Sequence, residues 1–464
     1  GQFIEHLGNC IYNGIWSELL QDRKFYYPIT DKFTPWAFAP ADTFWDTSSY
    51  RYLAASPWEV MRQGSVRMDS SHTWAGAHSP CISVPKDGST AGIKQAGLIL
   101  KADTDHNCRI VFSGSVPIIV RLESKNNILA EHFLQPGGPD FQTAEFTVPA
   151  VHEHTQATLK ILAYDPGWFS IGTVSLMPAD NLDGWRPDVV ALMKELNAPV
   201  YRWPGGNFVS GYNWRDGVGP RDRRPPRKNP AWKGVESNDV GLHEYMQLME
   251  ILGSEPFIAV NTGLGTVQDI AAEVAYVNSS AAELLGKQRA KNGHPEPFDC
   301  KFWAVGNEMY GDWQLGHMPV EQYVEKHKHV ANAMLAVDST IRLIAVGNMG
   351  EWSRTMLTLC ADHMDLISEH IYCREKQPVA EHVWQMRAAI RERANAHRQY
   401  RREIPGLDDN DIRIALDEWN YWYGDYIYGE LGVRYHLKDA LGIAAGLHEF
   451  FRNSEMVYMA NYAQ

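Results

Sequence analysis

The chain has 464 residues, of which 44% are hydrophobic, so it is long enough to bury more than one core. Its formal charge of −13 argues against nucleic acid or an anionic membrane as a partner. The longest apolar runs stay near strand length, which excludes a membrane-spanning helix. The 16 Trp and 21 Tyr residues favour a carbohydrate ligand as well as core packing, because aromatic faces stack on sugar rings.

The chain begins with a predicted strand at residues 3–7, and short alternating strands occupy the long segment that follows. These strands are predicted at 97–101, 109–113, 116–122, 144–148, 158–163 and 168–176. Short strands separated by turns predict a β-sandwich of jelly-roll type that is inserted after the first strand. Two functions stay open for this insert: it is either a carbohydrate-binding module or a structural spacer.

From about residue 180 onward, amphipathic helices alternate with short apolar strands. Strands are predicted at 199–203, 257–260, 302–305, 341–346, 364–368, 412–416 and 456–460, and helices at 189–196, 242–252, 320–337, 380–398 and 434–452. With residues 3–7 there are eight strands, which is typical of a (β/α)8 TIM barrel. We therefore expect the first barrel strand and its loop at 1–21, a carbohydrate-binding-module-like sandwich at 22–178, and the rest of the catalytic barrel at 179–464.

Six cysteines are widely spaced and form no CxxC pair, so we expect neither a zinc site nor a redox site. No metal and no cofactor are expected. Cys81 and Cys108 could form a disulfide in an oxidising compartment. The cellular location is open, with a secreted or periplasmic one favoured, and the oligomeric state is open as well.

Glu308 and Glu418 each follow a predicted barrel strand, the fourth and the seventh. Active sites of TIM barrels lie at the carboxyl ends of the strands, so these side chains would face each other across the barrel mouth. Two carboxyl groups ~5–5.5 Å apart are what retaining glycoside hydrolysis needs. Glu418 would be the ionised nucleophile and Glu308 the protonated acid/base, because the charge of Glu418 would raise the pKa of Glu308.

Four motifs extend this interpretation: FIEHLG at 3–8, RWPGGNF at 202–208, GNEM at 306–309 and DEWN at 417–420. Together they resemble glycoside hydrolase family 51, whose typical members are retaining α-L-arabinofuranosidases. The resemblance covers the start of the chain and about 180–464. It implies an exo-acting hydrolase that releases terminal α-L-arabinofuranosyl residues from arabinoxylan, arabinan or their oligosaccharides by double displacement.

The resemblance also implies roles for individual residues. Glu308 matches the acid/base and Glu418 the nucleophile. Asn307 would bind the 2-hydroxyl of the sugar, Arg202 would hold Glu418 ionised, and Tyr372 would donate a hydrogen bond to Glu418. The furanose hydroxyls would be bound by further polar groups, namely Glu5, Asn207 and Gln464. The aromatic side chains of Trp232 and Trp313 would lie near the leaving group.

The chain also departs from the family pattern. Tyr310-Gly311-Asp312-Trp313 stands where members often have Asp-Gly-Pro-Trp, which alters the rim near the leaving group. The C-terminal β-sandwich of the family, built partly from residues before the first strand, is expected to be missing from this chain. The arginine-rich segment 221–228 is interpreted as a solvated loop near the site rather than as a nucleic-acid contact.

Two other functions are compatible with parts of this pattern. A β-1,4-endoglucanase or xylanase of the same clan would keep both glutamates and open the pocket into a cleft. A non-catalytic carbohydrate-binding protein would not need Glu308 and Glu418 together. The expected partners are arabinose-containing polysaccharides or oligosaccharides, with no nucleic acid and no membrane.

Overall fold

The structure is a computed structural model that describes residues 1–39, 49–125 and 127–463. The first strand, β1 (Gln2–Phe3), is shorter than predicted. Residues 4–7 have already left the strand, so Glu5 lies just beyond its carboxyl end. An antiparallel hairpin of β2 (Trp36–Ala39) and β3 (Tyr50–Leu53) follows in the chain.

Two antiparallel sheets of five strands each form the insert that was predicted after β1. Their strands are β4 (Glu59–Val60), β5 (Val66–Asp69), β6 (Ser79–Val84), β7 (Ala91–Leu100), β8 (His106–Gly114), β9 (Ile118–Ser124), β10 (Asn127–Leu134), β11 (Gly138–Val148), β12 (Thr155–Ala163) and β13 (Gly167–Pro178). The strand orders are β10-β9-β12-β7-β4 and β11-β8-β13-β6-β5. Side chains from both sheets, such as Ile93, Ile110 and Ile161, meet in one buried core. The β-sandwich is therefore confirmed, whereas sugar binding by it and its limits at 22–178 stay predictions.

The rest of the chain alternates between helices and strands. The elements are α1 (Pro187–Leu196), β14 (Val200–Trp203), β15 (Arg227–Lys228), β16 (Val235–Glu236), α2 (Leu242–Leu252), β17 (Glu255–Ala259), α3 (Val267–Asn278), α4 (Leu284–Lys291), β18 (Phe302–Ala304), α5 (Val320–Val337), β19 (Arg342–Ala345), α6 (Glu351–Leu359), β20 (Leu366–Cys373), α7 (Val379–Glu403), β21 (Arg413–Tyr421), α8 (Leu437–Arg452) and β22 (Val457–Ala463). Among the described residues, no helix has the length and apolar character that crossing a bilayer requires.

Eight parallel strands close into one barrel, in the order β1, β14, β17, β18, β19, β20, β21 and β22. The predicted (β/α)8 fold is thus confirmed, with every predicted strand at its expected place. β14 and β21 are buried along almost their whole length, as expected for strands between the barrel interior and a layer of helices. Because all eight strands run in the same direction, the loops that follow them meet at one face of the barrel.

A buried ion network joins the insert to the barrel. Arg23 donates to Asp239 from Nε at 2.6 Å and from Nη2 at 2.5 Å, and its Nη1 donates to Asp222 at 2.8 Å. Asp222 also accepts from Nε of Arg109, on β8 of the insert, at 2.6 Å. The interpretation of segment 221–228 as a solvated loop is therefore wrong at Asp222, because its carboxylate bridges two arginines between the two parts of the chain.

Cys81 and Cys108 are both buried and unpaired. They lie on β6 and β8, and β13 runs between these two strands in the sheet. Neighbouring strands are ~4.8 Å apart, so strands on either side of a third are ~9.6 Å apart, beyond the reach of a disulfide. The topology therefore rules out the disulfide that the sequence left open.

Candidate active site

The backbone brings both predicted catalytic glutamates to the face where the barrel loops meet. Glu308 lies four residues beyond β18 with a φ of 42°, a left-handed conformation that is strained for a side chain other than glycine. Glu418 lies inside β21 rather than after it, because the strand continues to Tyr421. Its pairing with β22 shifts register between Leu416 and Trp419, and such a bulge redirects the side chains of a strand.

The carboxyl groups of Glu308 and Glu418 are close to each other. One carboxyl oxygen of Glu308 lies within 4.8 Å of one carboxyl oxygen of Glu418. Inverting glycosidases need room for a water between their carboxyl groups, which are then ~6.5–9.5 Å apart, whereas retaining enzymes have ~5–5.5 Å. The spacing in this site is therefore of the retaining kind.

Arg202 is fully buried and organises the side of the site that contains Glu418. Its Nη1 donates to Oε1 of Glu418 and its Nη2 to Oδ1 of Asn307, both at 2.6 Å. Its Nε lies 3.1 Å from Oδ2 of Asp417. Burial lowers the pKa of Arg202, but Asp417 and Glu418 outweigh it and leave the pKa above its ordinary value. Tyr372 completes the surroundings of Glu418 by donating to Oε2 at 2.8 Å.

Glu308 has a different set of partners. Nδ1 of His370 lies 2.8 Å from Oε1, Nε1 of Trp313 donates to Oε2 at 2.6 Å, and Tyr310 donates to Oε1 at 3.2 Å. Burial raises the pKa of Glu308, but the hydrogen bond and charge of His370 outweigh it and hold the pKa below its ordinary value. The expected rise in the pKa of Glu308 is therefore absent, because the hydrogen bond and charge of this imidazole outweigh the effect of burial.

His370 bridges the two halves of the site and was not singled out from the sequence. Its Nε2 lies 3.2 Å from Oδ1 of Asp417, and its Nδ1 lies 3.6 Å from Oε2 of Glu418 as well as close to Glu308. Burial alone would lower the pKa of His370, but Glu418, Asp417 and Glu308 raise it well above its ordinary value. The sequence carried one usable signal, since His370 lies two residues before Tyr372 and shares its side of β20.

The first and second barrel loops supply the opposite wall of the site. Oε1 of Glu5 accepts from the backbone N of Phe208 at 3.0 Å and from Nε1 of Trp232 at 2.9 Å. Burial, together with the charge of Glu418, raises the pKa of Glu5 to about 8. Asn207 is half-buried and begins the 3₁₀ turn Asn207–Gly211 that follows β14.

Gly206 is a further site residue that was not predicted. A methyl group on its α-carbon would lie 2.9 Å from Oε1 of Glu418, 3.4 Å from Nδ2 of Asn307 and 3.5 Å from Oε2 of Glu5. These three polar groups therefore converge on the space that glycine leaves open. Gln314 was also not predicted, and it accepts from Nδ2 of Asn307 at 3.2 Å.

Nine of the ten predicted site residues lie in the described part of the chain, and Gln464 lies outside it. Direct hydrogen bonds connect Arg202, Asn307, Glu418 and Tyr372 in one group, and link Glu308 to Trp313 and Glu5 to Trp232 in two others. Asn207 lies near these groups because it follows Gly206 in the chain.

Among the described residues, Glu308, His370 and Glu418 form the group that could reach a common cation. Each of them already has a close partner within the protein, and Arg202 places a positive charge against Glu418. The arrangement therefore favours proton transfer rather than metal binding.

Two family models match the chain. The α-L-arabinofuranosidase 1 domain matches residues 192–402, and the α-L-arabinofuranosidase C-terminal domain matches residues 417–464. The second match covers most of β21 together with α8 and β22, which belong to the barrel. Both matched segments lie outside the β-sandwich.

Curated relatives are also named as α-L-arabinofuranosidases. A probable α-L-arabinofuranosidase C of Aspergillus clavatus is 35% identical over 327 residues, which are 65% of this chain and 62% of the relative. An intracellular exo-α-(1→5)-L-arabinofuranosidase of Bifidobacterium longum is 35% identical over 53% of this chain and 46% of its own length. The chain thus spans less than two thirds of the length of these relatives.

Solved structures agree with this relationship. The arabinose complex of an α-L-arabinofuranosidase from Thermotoga maritima is 37% identical, with a TM-score of 0.58. The match covers 61% of this chain and 58% of the Thermotoga chain. An arabinose-bound family 51 α-L-arabinofuranosidase aligns with 100% of this chain and 74% of its own, with a TM-score of 0.78. At 20% identity this second structure shows only that the fold, insert included, recurs. Taken with the two domain matches and the curated relatives, these likenesses show that the chain is similar to the α-L-arabinofuranosidases of glycoside hydrolase family 51.

Proposed function

We propose that the protein is a retaining α-L-arabinofuranosidase that removes terminal α-L-arabinofuranosyl residues from arabinose-containing glycans. The observation that carries the proposal is the pair Glu308 and Glu418, whose carboxyl oxygens lie within 4.8 Å of each other at the barrel mouth. The two carboxyl groups have different partners, so they are suited to different tasks. The names of the relatives support the sugar, and the spacing supports the stereochemistry.

In the first step Glu418 attacks the anomeric carbon. Arg202 donates a hydrogen bond to one oxygen of its carboxylate and Tyr372 to the other, which fixes the orientation of the group. The bond to the leaving oxygen breaks as an ester bond to Glu418 forms. The leaving oxygen takes a proton from Glu308, and His370 supplies that proton to Glu308.

The proton for this step belongs to the pair of Glu308 and His370. Their contact of 2.8 Å lets one proton reside on either group, and protonated His370 returns it to Glu308 as the leaving oxygen becomes basic. In the second step Glu308 accepts a proton from a water molecule. That water attacks the anomeric carbon, releases the sugar with retained configuration and restores Glu418.

Arabinan, arabinoxylan and their oligosaccharides are the proposed substrates. An exo action is supported by the name of the Bifidobacterium longum relative, an exo-α-(1→5)-L-arabinofuranosidase. Nucleic acid and membranes are not proposed as partners, because the chain carries a formal charge of −13. No observation in the site favours the endoglucanase or xylanase alternative.

The test is hydrolysis of aryl glycosides by the protein. We expect turnover of aryl α-L-arabinofuranoside and none of aryl β-cellobioside or β-xylobioside. Proton NMR of the first product should show the α anomer, which then mutarotates. Turnover of the cellobioside alone, or a β anomer as first product, would contradict the proposal.

A further inference from the structure

A second cavity opens on the catalytic face, between the hairpin of β2 and β3 and three barrel loops. Its volume is about 410 Å³, within the usual range of ~300–1,000 Å³ for ligand cavities. Asn9, Lys233 and Glu430 line it from the loops that follow β1, β14 and β21. The cavity therefore belongs to the same barrel face as Glu308 and Glu418, although neither glutamate lines it.

One short segment connects this cavity to the catalytic site. Trp232 donates from Nε1 to Glu5 at 2.9 Å, on the catalytic side. The next residue, Lys233, donates from its backbone N to Oε2 of Glu430 at 2.7 Å, on the side of the second cavity. Tyr50 of β3 donates to the other oxygen of Glu430 at 2.9 Å, so the hairpin is tied to the same segment. A molecule in the cavity is thus one loop away from the sugar site.

Aromatic side chains from the hairpin form one wall of the cavity. Trp36 is 39% exposed, and the guanidinium of Arg51 lies 3.9 Å above its ring. Tyr52 is half-buried, and Nζ of Lys233 lies 5.8 Å from its ring. A cation above a ring covers one of its two faces and places hydrogen-bond donors next to the ring. Rings with neighbouring donors are the features that bind the C–H face and the hydroxyls of a sugar.

The charges of the cavity select against an anionic ligand. Its lining has four basic side chains, including Arg51 and Lys233, and four acidic ones, including Glu430 and Asp239. Asp239 and its basic neighbours at the inner end already pair with one another. Phosphate recognition needs an excess of unpaired basic groups, and this balance offers none. A neutral ligand with many hydroxyl groups fits both the charge and the aromatic wall.

We propose that this cavity binds a neutral pentose-containing saccharide, as the continuation of the glycan whose terminal sugar occupies the catalytic pocket. The inference rests on the proposed function and gives the hairpin before the β-sandwich a direct role in substrate selection. Trp36 and Tyr52 would stack on sugar rings. The Glu430 carboxylate would accept hydrogen bonds from sugar hydroxyls, and the Asn9 amide would donate hydrogen bonds to them.

The test compares a small substrate with a long one in the full chain. Aryl α-L-arabinofuranoside reaches only the catalytic pocket, whereas arabinan-derived and arabinoxylan-derived oligosaccharides reach beyond it. For Trp36→Ala and Tyr52→Ala, we expect kcat/KM on at least one oligosaccharide to fall about tenfold relative to kcat/KM on the aryl substrate. Phe38→Ala is the matched control, because Phe38 is 71% exposed on the same strand and does not line the cavity. It should leave the ratio unchanged.

Two results would overturn the proposal. Wild-type kcat/KM on both substrates in both variants would show that the cavity does not contact the glycan, and an equal loss of kcat/KM on both substrates would show that the hairpin has only a structural role. Calorimetric titration of the oligosaccharides into Glu418→Ala, with and without Trp36→Ala, gives a readout without turnover, and weaker binding in the double variant is expected. If the wild-type protein does not cleave the aryl arabinoside, the proposed function fails, while the titration still decides the saccharide site.

Discussion

Nδ1 of His370 lies 2.8 Å from Oε1 of Glu308, and this contact changes the charge state expected of the acid/base. Two glutamates alone would repel each other and leave one of them protonated. In the structure, the imidazole lies between Glu308 and Asp417, and the charges of the nearby carboxylates raise its pKa well above the ordinary value, which favours a proton on His370. The acid is therefore a pair of residues rather than one carboxyl group, and its titration belongs to the pair.

Replacing His370 by Gln should shift the pH dependence of the reaction. In the wild-type protein the raised pKa of His370 keeps a proton in the pair well above pH 6.5. In His370→Gln, Glu308 must hold that proton alone, so the basic limb of the kcat/KM profile should move to lower pH. The maximum should fall about 10- to 100-fold. His397→Gln is the control, because His397 is buried against Glu369 outside the site and should not move the limb. A limb at the same pH in both variants would contradict the shared proton.

Replacing Glu308 and replacing Glu418 by alanine should reduce activity in different ways. Glu418→Ala removes the group that forms the covalent bond, so kcat should fall at least ~10³-fold on every substrate. Glu308→Ala should retain more activity on aryl glycosides with acidic leaving groups, which need no proton. Azide should accelerate Glu308→Ala and yield the arabinosyl azide with retained configuration, as measured by NMR. Rescue of Glu418→Ala with a retained azide product would reverse the assignment.

Gly206→Ala should damage the sugar site without unfolding the barrel. The added methyl group would lie 2.9 Å from Oε1 of Glu418, the proposed nucleophile, in the space that we expect the sugar to use. A clash of this kind costs ~1–3 kcal/mol, which corresponds to a loss of roughly 5- to 150-fold in kcat/KM. The midpoint of thermal unfolding should fall by a few degrees while the protein still folds, since Gly206 has a φ of −82° and a ψ of −100°, a combination that alanine does not favour. Wild-type kinetics in this variant would show that the space is not used by substrate.

Glu273→Gln should stabilise the protein at alkaline pH. Glu273 is buried on α3, away from the active site, and burial raises its pKa to about 8. The folded state therefore retains a proton that the unfolded state releases above its ordinary pKa of 4.5, so stability falls as pH rises from 4.5 to 8. Gln cannot ionise, and the thermal midpoint of the variant should exceed that of the wild type by a few degrees at pH 8. The two midpoints should agree at pH 4.5. Equal midpoints at pH 8 would show that Glu273 ionises without cost.

The barrel and the proximity of Glu308 and Glu418 at its mouth could be predicted because they depend on local patterns. Buried parallel strands appear as short apolar runs, and amphipathic helices separate them, so the strand count and order followed from the sequence. Glu308 and Glu418 stood in short motifs next to those runs. Since a parallel barrel collects its strand ends at one face, local position was enough to bring the two glutamates together.

The sequence by itself determined the fold, the family motifs and the identity of the two carboxyl groups. Only the tertiary structure decided the charge state that is favoured for Glu308, because the pKa of Glu308 depends on His370, 62 residues away in the chain. Tertiary structure also decided that Cys81 and Cys108 cannot pair and that Asp222 bridges Arg23 and Arg109 between insert and barrel. Hydrogen bonds and ion pairs act over a few ångströms in space, and a pattern of neighbours along the chain does not contain those distances.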